Sequence, residues 1–267
     1  MHDHDRGLGF DLATLRSRRA AVGLFGGAGL AILTGCATPA DPTPTTSPTT
    51  NPTTATTGAA GQLTEIPEET AGPYPGDGSN GPNVLDDSGI VRGDIRPSFG
   101  EASGVADGVP LRIELTVVEA DTGAALAGAA VYLWHCDRDG GYSLYSDGVT
   151  DQNYLRGVQV ADDAGKLAFT SIFPAAYAGR WPHAHFEVYA GLADATSAGT
   201  PVITSQLALP EDVCAAVYAT DGYRTSEGNL AGTSLESDNV FSDGWESQLA
   251  EVTGDLTGYV ATLTVAV

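Results

Sequence analysis

The sequence predicts an all-β fold, a β-sandwich core with long loops and little helix. Three observations carry this. Six short stretches, 111–118, 129–136, 166–173, 183–189, 202–209 and 259–267, are rich in β-branched and aromatic residues. Gly, Asp, Asn and Pro punctuate the chain between them, with 34 Gly and 15 Pro in all. No long run has a 3.6-residue apolar period, so helix is confined to short pieces such as 211–218. The pattern fits two packed sheets. About 200 residues are available for it, enough for one domain with its own core.

Taken in order, the chain opens with a targeting segment, 1–35. Arg16, Arg18 and Arg19 form a basic region in which SRRAAVG resembles a twin-arginine signal. The apolar run 20–33 is too short for a comfortable membrane span and suits a signal-peptide core. It ends in Leu33-Thr34-Gly35-Cys36, which looks like a bacterial lipobox. That likeness implies cleavage before Cys36, lipidation of its thiol, and an exported, cell-surface lipoprotein. An ordinary signal peptide with a stray cysteine is the plainer alternative. Residues 36–62 are Thr/Pro-rich with almost no large apolar side chain, so they cannot offset the entropy of ordering. They read as a linker, which leaves 63–267 as the folded domain.

The net charge is −22, from 12 basic and 34 acidic residues. Without residues 1–35 it is −23, from 8 basic and 31 acidic. Such a surface repels nucleic acid and anionic membrane, so no nucleic-acid partner is expected and membrane contact falls to the lipid. Cysteine arithmetic leaves Cys136 and Cys214 once Cys36 is lipidated. An even pair in an exported chain favours a disulfide between them, and a buried free thiol at Cys136 is the other reading.

The stretch HAHFEVY holds the chemistry. Beyond the leader the chain has three histidines, His135, His183 and His185. In a strand, His183 and His185 point the same way, so both imidazoles can reach one point, a half-site for iron, copper, zinc or nickel. Two half-exposed strand histidines would read the same. His135, in VYLWHCD, reads as a hydrogen-bonded structural histidine. Glu187 shares the face of the pair and would complete a site of two histidines and one carboxylate, which favours Fe(II). No GxSxG or HExxH motif supports hydrolysis, and a copper oxidase needs more histidines than these.

WHCDRDGGYS, NYLRG, GKLAFTSI and PAAYAGRWPHAH follow one another in an order that resembles the intradiol ring-cleavage dioxygenases. This is the catechol 1,2- and protocatechuate 3,4-dioxygenase group, and the likeness is greatest to its secreted single-chain relatives. It runs from about Glu69 to about Leu209. It implies a sandwich core with the metal held by loops and strand ends, and non-haem Fe(III) bound by Tyr142, Tyr177, His183 and His185. Two phenolates and two imidazoles are a hard, anionic set suited to ferric iron, and a bound cation lowers the phenol pKa from about 10. Tyr177 matches the tyrosinate that leaves when substrate binds, and Arg180 the arginine that stabilises charge on the bound catecholate. Gln206 matches a glutamine near the substrate, and Tyr74 a position at the pocket mouth. The implied reaction takes a catechol and O2 and opens the ring between the two hydroxylated carbons to a muconate-type diacid. The tail 210–267 resembles only the exported relatives, and the helical dimer-forming segment of catechol 1,2-dioxygenases is not apparent. A non-catalytic sandwich that binds ligand or cell wall as a lipoprotein is the alternative from another class.

Overall fold

The computed structural model describes residues 62–267, apart from position 198. The leader, Cys36 and all but the last residue of the linker lie outside the described residues. Among the described residues eight strands form two four-stranded sheets, the sandwich that the sequence predicts. One sheet has the order β4–β1–β8–β7: β1 is Pro110–Val118, β4 Lys166–Ile172, β7 Glu251–Asp255 and β8 Gly258–Ala266. The other has the order β3–β2–β5–β6: β2 is Ala130–Trp134, β3 Arg156–Val160, β5 His183–Tyr189 and β6 Ile203–Ala208. Neighbours pair antiparallel except β1 and β8, which run parallel. Three short helices follow β5 and β6: α1 Leu192–Ala195, α2 Glu211–Tyr218 and α3 Ser226–Ala231.

Alternation builds the core. Ile113, Leu115 and Val117 of β1 and Ala261, Leu263 and Val265 of β8 face Val131 and Leu133 of β2 and Ala184, Phe186 and Val188 of β5. The opposite face of the β2–β5 sheet is not solvated. Tyr132, Trp134, Val158 and Tyr189 pack there against Val84, Leu85 and Ile90 from the long N-terminal segment. The strand bearing the histidine pair is therefore buried on both faces, all seven residues of it. The readings of His183 and His185 as half-exposed strand histidines fall here, because a second apolar layer covers them.

Two strands, β3 and β7, were not predicted. In β3, RGVQV reads as polar, yet Arg156 is buried. Its guanidinium donates to the Ser143 and Pro75 carbonyls, and its Nε to Ser143 Oγ. At Gly157 a Cβ would lie 2.5 Å from Ile95 Cγ2, so the backbone of residues 92–95 can approach only a glycine.

The expected disulfide is corrected: Cys136 and Cys214 are both free and buried. Cys136 donates to the Ala175 carbonyl at 3.5 Å within the second apolar layer, whereas Cys214 sits on α2 in the main core. Among the described residues no helix is long and apolar enough to cross a membrane.

Candidate metal centre

The register of the second sheet sets the site. Trp134 of β2 lies opposite His185 of β5, and His185 opposite Gln206 of β6, so these side chains emerge side by side on one face. His183 follows two residues away on the same face. Trp134 stacks on His185, with ring centroids 5.0 Å apart and planes 5° from parallel, which fixes that imidazole's plane. His183 is fixed differently, by Nδ1 donating to the Trp181 carbonyl. Its Nε2 then presents a lone pair, the tautomer a metal ligand needs.

Two loops bring tyrosines to the pair. Tyr142 follows a turn built by Asp137, whose Oδ1 accepts the amides of Asp139 (3.0 Å) and Gly141 (2.8 Å). Tyr154 Oη donates to Asp137 Oδ2 at 3.0 Å, and the Tyr142 amide donates to Ser146 Oγ at 2.8 Å. Tyr177 lies in the irregular segment after β4. The four ring heteroatoms form a chain: Tyr142 Oη to Tyr177 Oη 3.4 Å, Tyr177 Oη to His183 Nε2 3.1 Å, and His183 Nε2 to His185 Nε2 3.1 Å. Tyr142 and both histidines are buried, and Tyr177 is half-buried.

These donors fit a cation. Burial first, then the Arg180 charge, holds both imidazoles well below their usual pKa, so they stay neutral. Burial, then the neighbouring Tyr177, pushes the Tyr142 phenol well up. Four lone-pair donors thus meet in a buried place without a compensating positive charge among them, and a bound cation reverses that balance. Among the described residues no three His, Cys, Asp or Glu gather as a metal cluster, so a ligand set around the histidine pair needs the tyrosine oxygens. Glu187 does not supply one: its carboxylate accepts from Tyr189 Oη at 2.6 Å and Thr204 Oγ1 at 3.4 Å.

The other expected residues surround this centre. Arg180 is buried, and its Nη2 donates to Gln206 Oε1 at 2.6 Å. Gln206 Nε2 donates in turn to the Thr70 carbonyl at 2.9 Å. Tyr74 packs against Tyr142 and Tyr145, each ring centroid 5.1 Å from its own. His135 lies apart in the core, bonded to Ser171 Oγ and the Cys136 carbonyl, each at 2.7 Å. Sequence reasoning missed Trp134, Glu69, Asp238 and Phe241. Trp134, two residues before Cys136 in a quoted motif, and Glu69, at the start of the likeness, carried a signal. A separate cleft of about 720 Å³ on the outer face of the other sheet, lined by Arg112, Glu114, Lys166 and Thr262, holds none of the four donors.

The fold and this donor set define a β-sandwich protein in which two histidines and two tyrosines converge at the side of one sheet. A family model described as "Dioxygenase" matches residues 96–198. The chlorocatechol 1,2-dioxygenase of Rhodococcus opacus is 39% identical over 67 residues, 25% of this chain and 26% of that one. The enzyme of the same name from a Pseudomonas species is 43% identical over 60 residues, 22% of this chain and 24% of that one. The chain thus aligns with about a quarter of the length of these curated relatives. An intradiol ring-cleavage dioxygenase from Tetranychus urticae shares the fold, with a TM-score of 0.60 and 22% identity over 76% of this chain and 94% of that one. Residues 96–198 are thus similar to the dioxygenase family, and the chain shares the fold of an intradiol ring-cleavage dioxygenase.

Proposed function

We propose that this protein is an extracytoplasmic non-haem Fe(III) dioxygenase that cleaves catechols between the two hydroxylated carbons, consuming O2 and giving muconate-type diacids. The observation that carries the reading is the convergence of Tyr142, Tyr177, His183 and His185 beside a buried arginine. Those four would hold the iron. When bound, Fe(III) supplies the centre that chelates the catecholate and brings it into reaction with O2.

The chain's own residues do the rest. Tyr177 is the more exposed of the two tyrosines and lies outside regular structure, so its Oη, as the phenolate that a bound cation would leave, is the group that would take a proton from an entering catechol hydroxyl and move aside. Arg180, held beside the centre, donates to the negative charge that builds on the substrate, a contribution on the order of 3 kcal/mol for a preorganised donor. The rings of Trp134, Tyr74 and Phe241 keep water from the centre. The names of the curated relatives put chlorinated catechols in the substrate panel beside catechol, protocatechuate and hydroxyquinol. Export, and anchoring through lipid on Cys36, are part of the same proposal and rest on the leader.

The test is a visible spectrum of the purified protein with iron analysis, before and after anaerobic addition of catechol. Tyrosinate-bound Fe(III) gives a broad visible band that moves to longer wavelength with catechol. Iron without colour overturns the tyrosinate site, and a protein that takes up no iron after reconstitution is instead a binding module.

A further inference from the structure

The segment after α2 folds back over the site and brings a carboxylate that the sequence motifs do not contain. Asp238 Oδ2 accepts from Arg180 Nε at 2.9 Å and from the Trp181 amide at 2.6 Å. Its Oδ1 accepts from the amides of Val240 at 2.8 Å and Phe241 at 3.3 Å. Four donors thus fix one carboxylate. The ion pair is sealed from water, with side chains 1% and 0% exposed. A second arm of the guanidinium is held by Gln206. Two acceptors on different nitrogens fix both the position and the plane of a guanidinium. The same turn sets the Phe241 ring 6.0 Å from the Arg180 guanidinium and 6.3 Å from the His183 ring. Asp238 and Phe241 both lie beyond the residues matched by the family model.

We propose that Asp238 is a positioning residue for the reaction: its carboxylate holds the Arg180 guanidinium in the plane that meets the substrate's developing charge. This rests on the dioxygenase reading. Electrostatic stabilisation depends on donors already oriented before charge develops, and small misplacements of a positioning group cost large factors in rate. The C-terminal segment is on this account part of the reacting site.

The test uses iron-loaded protein and four variants: Asp238→Asn, Asp238→Glu, Arg180→Lys and the double variant Asp238→Asn/Arg180→Lys. Iron content, the visible spectrum, anaerobic catechol titration, kcat and KM are measured for each. Asp238→Asn is expected to keep iron and the resting band while kcat falls about 30-fold or more and KM moves less than about 3-fold. The double variant is expected to be no slower than Arg180→Lys alone, because Asp238 acts through Arg180. Asp238→Glu is expected to regain part of the loss by restoring the charge. Should the asparagine variant not fold, the glutamate variant carries the test: its carboxylate is displaced by one methylene, and a lower kcat with unchanged colour is expected. Losses that multiply in the double variant, or a kcat within about 3-fold of the parent, overturn the role of Asp238 alone. An iron-loaded parent protein that turns over no catechol overturns the dioxygenase reading and this role together.

Discussion

Tyr142 and Tyr177 differ in how firmly the fold holds them. Tyr142 is buried behind the Asp137 turn, with its amide bonded to Ser146 Oγ, whereas Tyr177 is half-buried on an irregular segment. Replacing Tyr177 by Phe should therefore leave iron bound and reduce kcat by on the order of 10²–10⁴, the range of a lost proton acceptor. Loss of iron in step with activity would instead make Tyr177 a required anchor. His135 tests the core. Burial pulls its pKa down to about 4, so it is neutral when folded, while the unfolded chain takes up a proton near 6.5. Its contribution to stability is thus present above pH 6.5 and lost as pH falls towards 4, on the order of 3 kcal/mol across that window. Urea unfolding at pH 4.5 and pH 7 should differ less in His135→Gln than in the parent. An unchanged difference would place the acid sensitivity elsewhere.

At the scale of elements, β5 and β6 are bound to the N-terminal segment by a buried polar chain. Glu69 donates its amide to the Thr204 carbonyl, at 2.7 Å, and its side chain is buried beside Gln248. Oε1 of Glu69 is buried without an assigned partner, and a bare carboxylate oxygen there is costly. A proton on Glu69 removes the buried charge. Burial first, and Asp243 next, push that carboxyl up to about 8. Here the folded state holds the proton that the unfolded chain has lost above about 4.5. Stability from this group is full below pH 4.5 and declines as pH rises to 8. Glu69→Gln, which imitates the neutral acid, should melt like the parent at pH 5 and be more stable at pH 9 by on the order of 2–4 kcal/mol. A lower melting temperature at pH 9 would show that the carboxylate is the form the fold needs. Such a chain was not legible in the sequence, because its partners stand far apart without periodicity. What was legible is local. The strand 183–189 and the helix 211–218 fall where alternation and composition put them. β3 was hidden because its arginine braces the Tyr142 loop and its glycine admits Ile95. The four converging side chains, Tyr142, Tyr177, His183 and His185, announce themselves through short motifs, whereas the contact of Arg180 with Asp238 spans 58 positions.

For the whole molecule the question is how much chain the site needs. The family model covers residues 96–198, which supply β1 to β5 and all four donors. That stretch lacks β6, the partner of β5, and β8, which stands between β1 and β7. It also lacks the cover supplied by Val84, Leu85 and Ile90 over the face that bears the histidines. Core residues lost with it include Leu207, Val217, Tyr218, Ala261, Leu263 and Val265. Each buried apolar side chain contributes roughly 1.5–3 kcal/mol, and a domain's entire stability is about 5–15 kcal/mol. Losing six such residues and two strand partners is as large as that margin. A fragment of residues 96–198 should therefore show no cooperative thermal transition and bind no iron, while residues 62–267 should unfold cooperatively. Scanning calorimetry of the two decides it. A cooperative transition in the short fragment would mean that the N- and C-terminal parts only dress a site that β1 to β5 build alone. The opposite result would make the site a property of both sheets together, with its metal donors in the middle of the chain and its supports at either end.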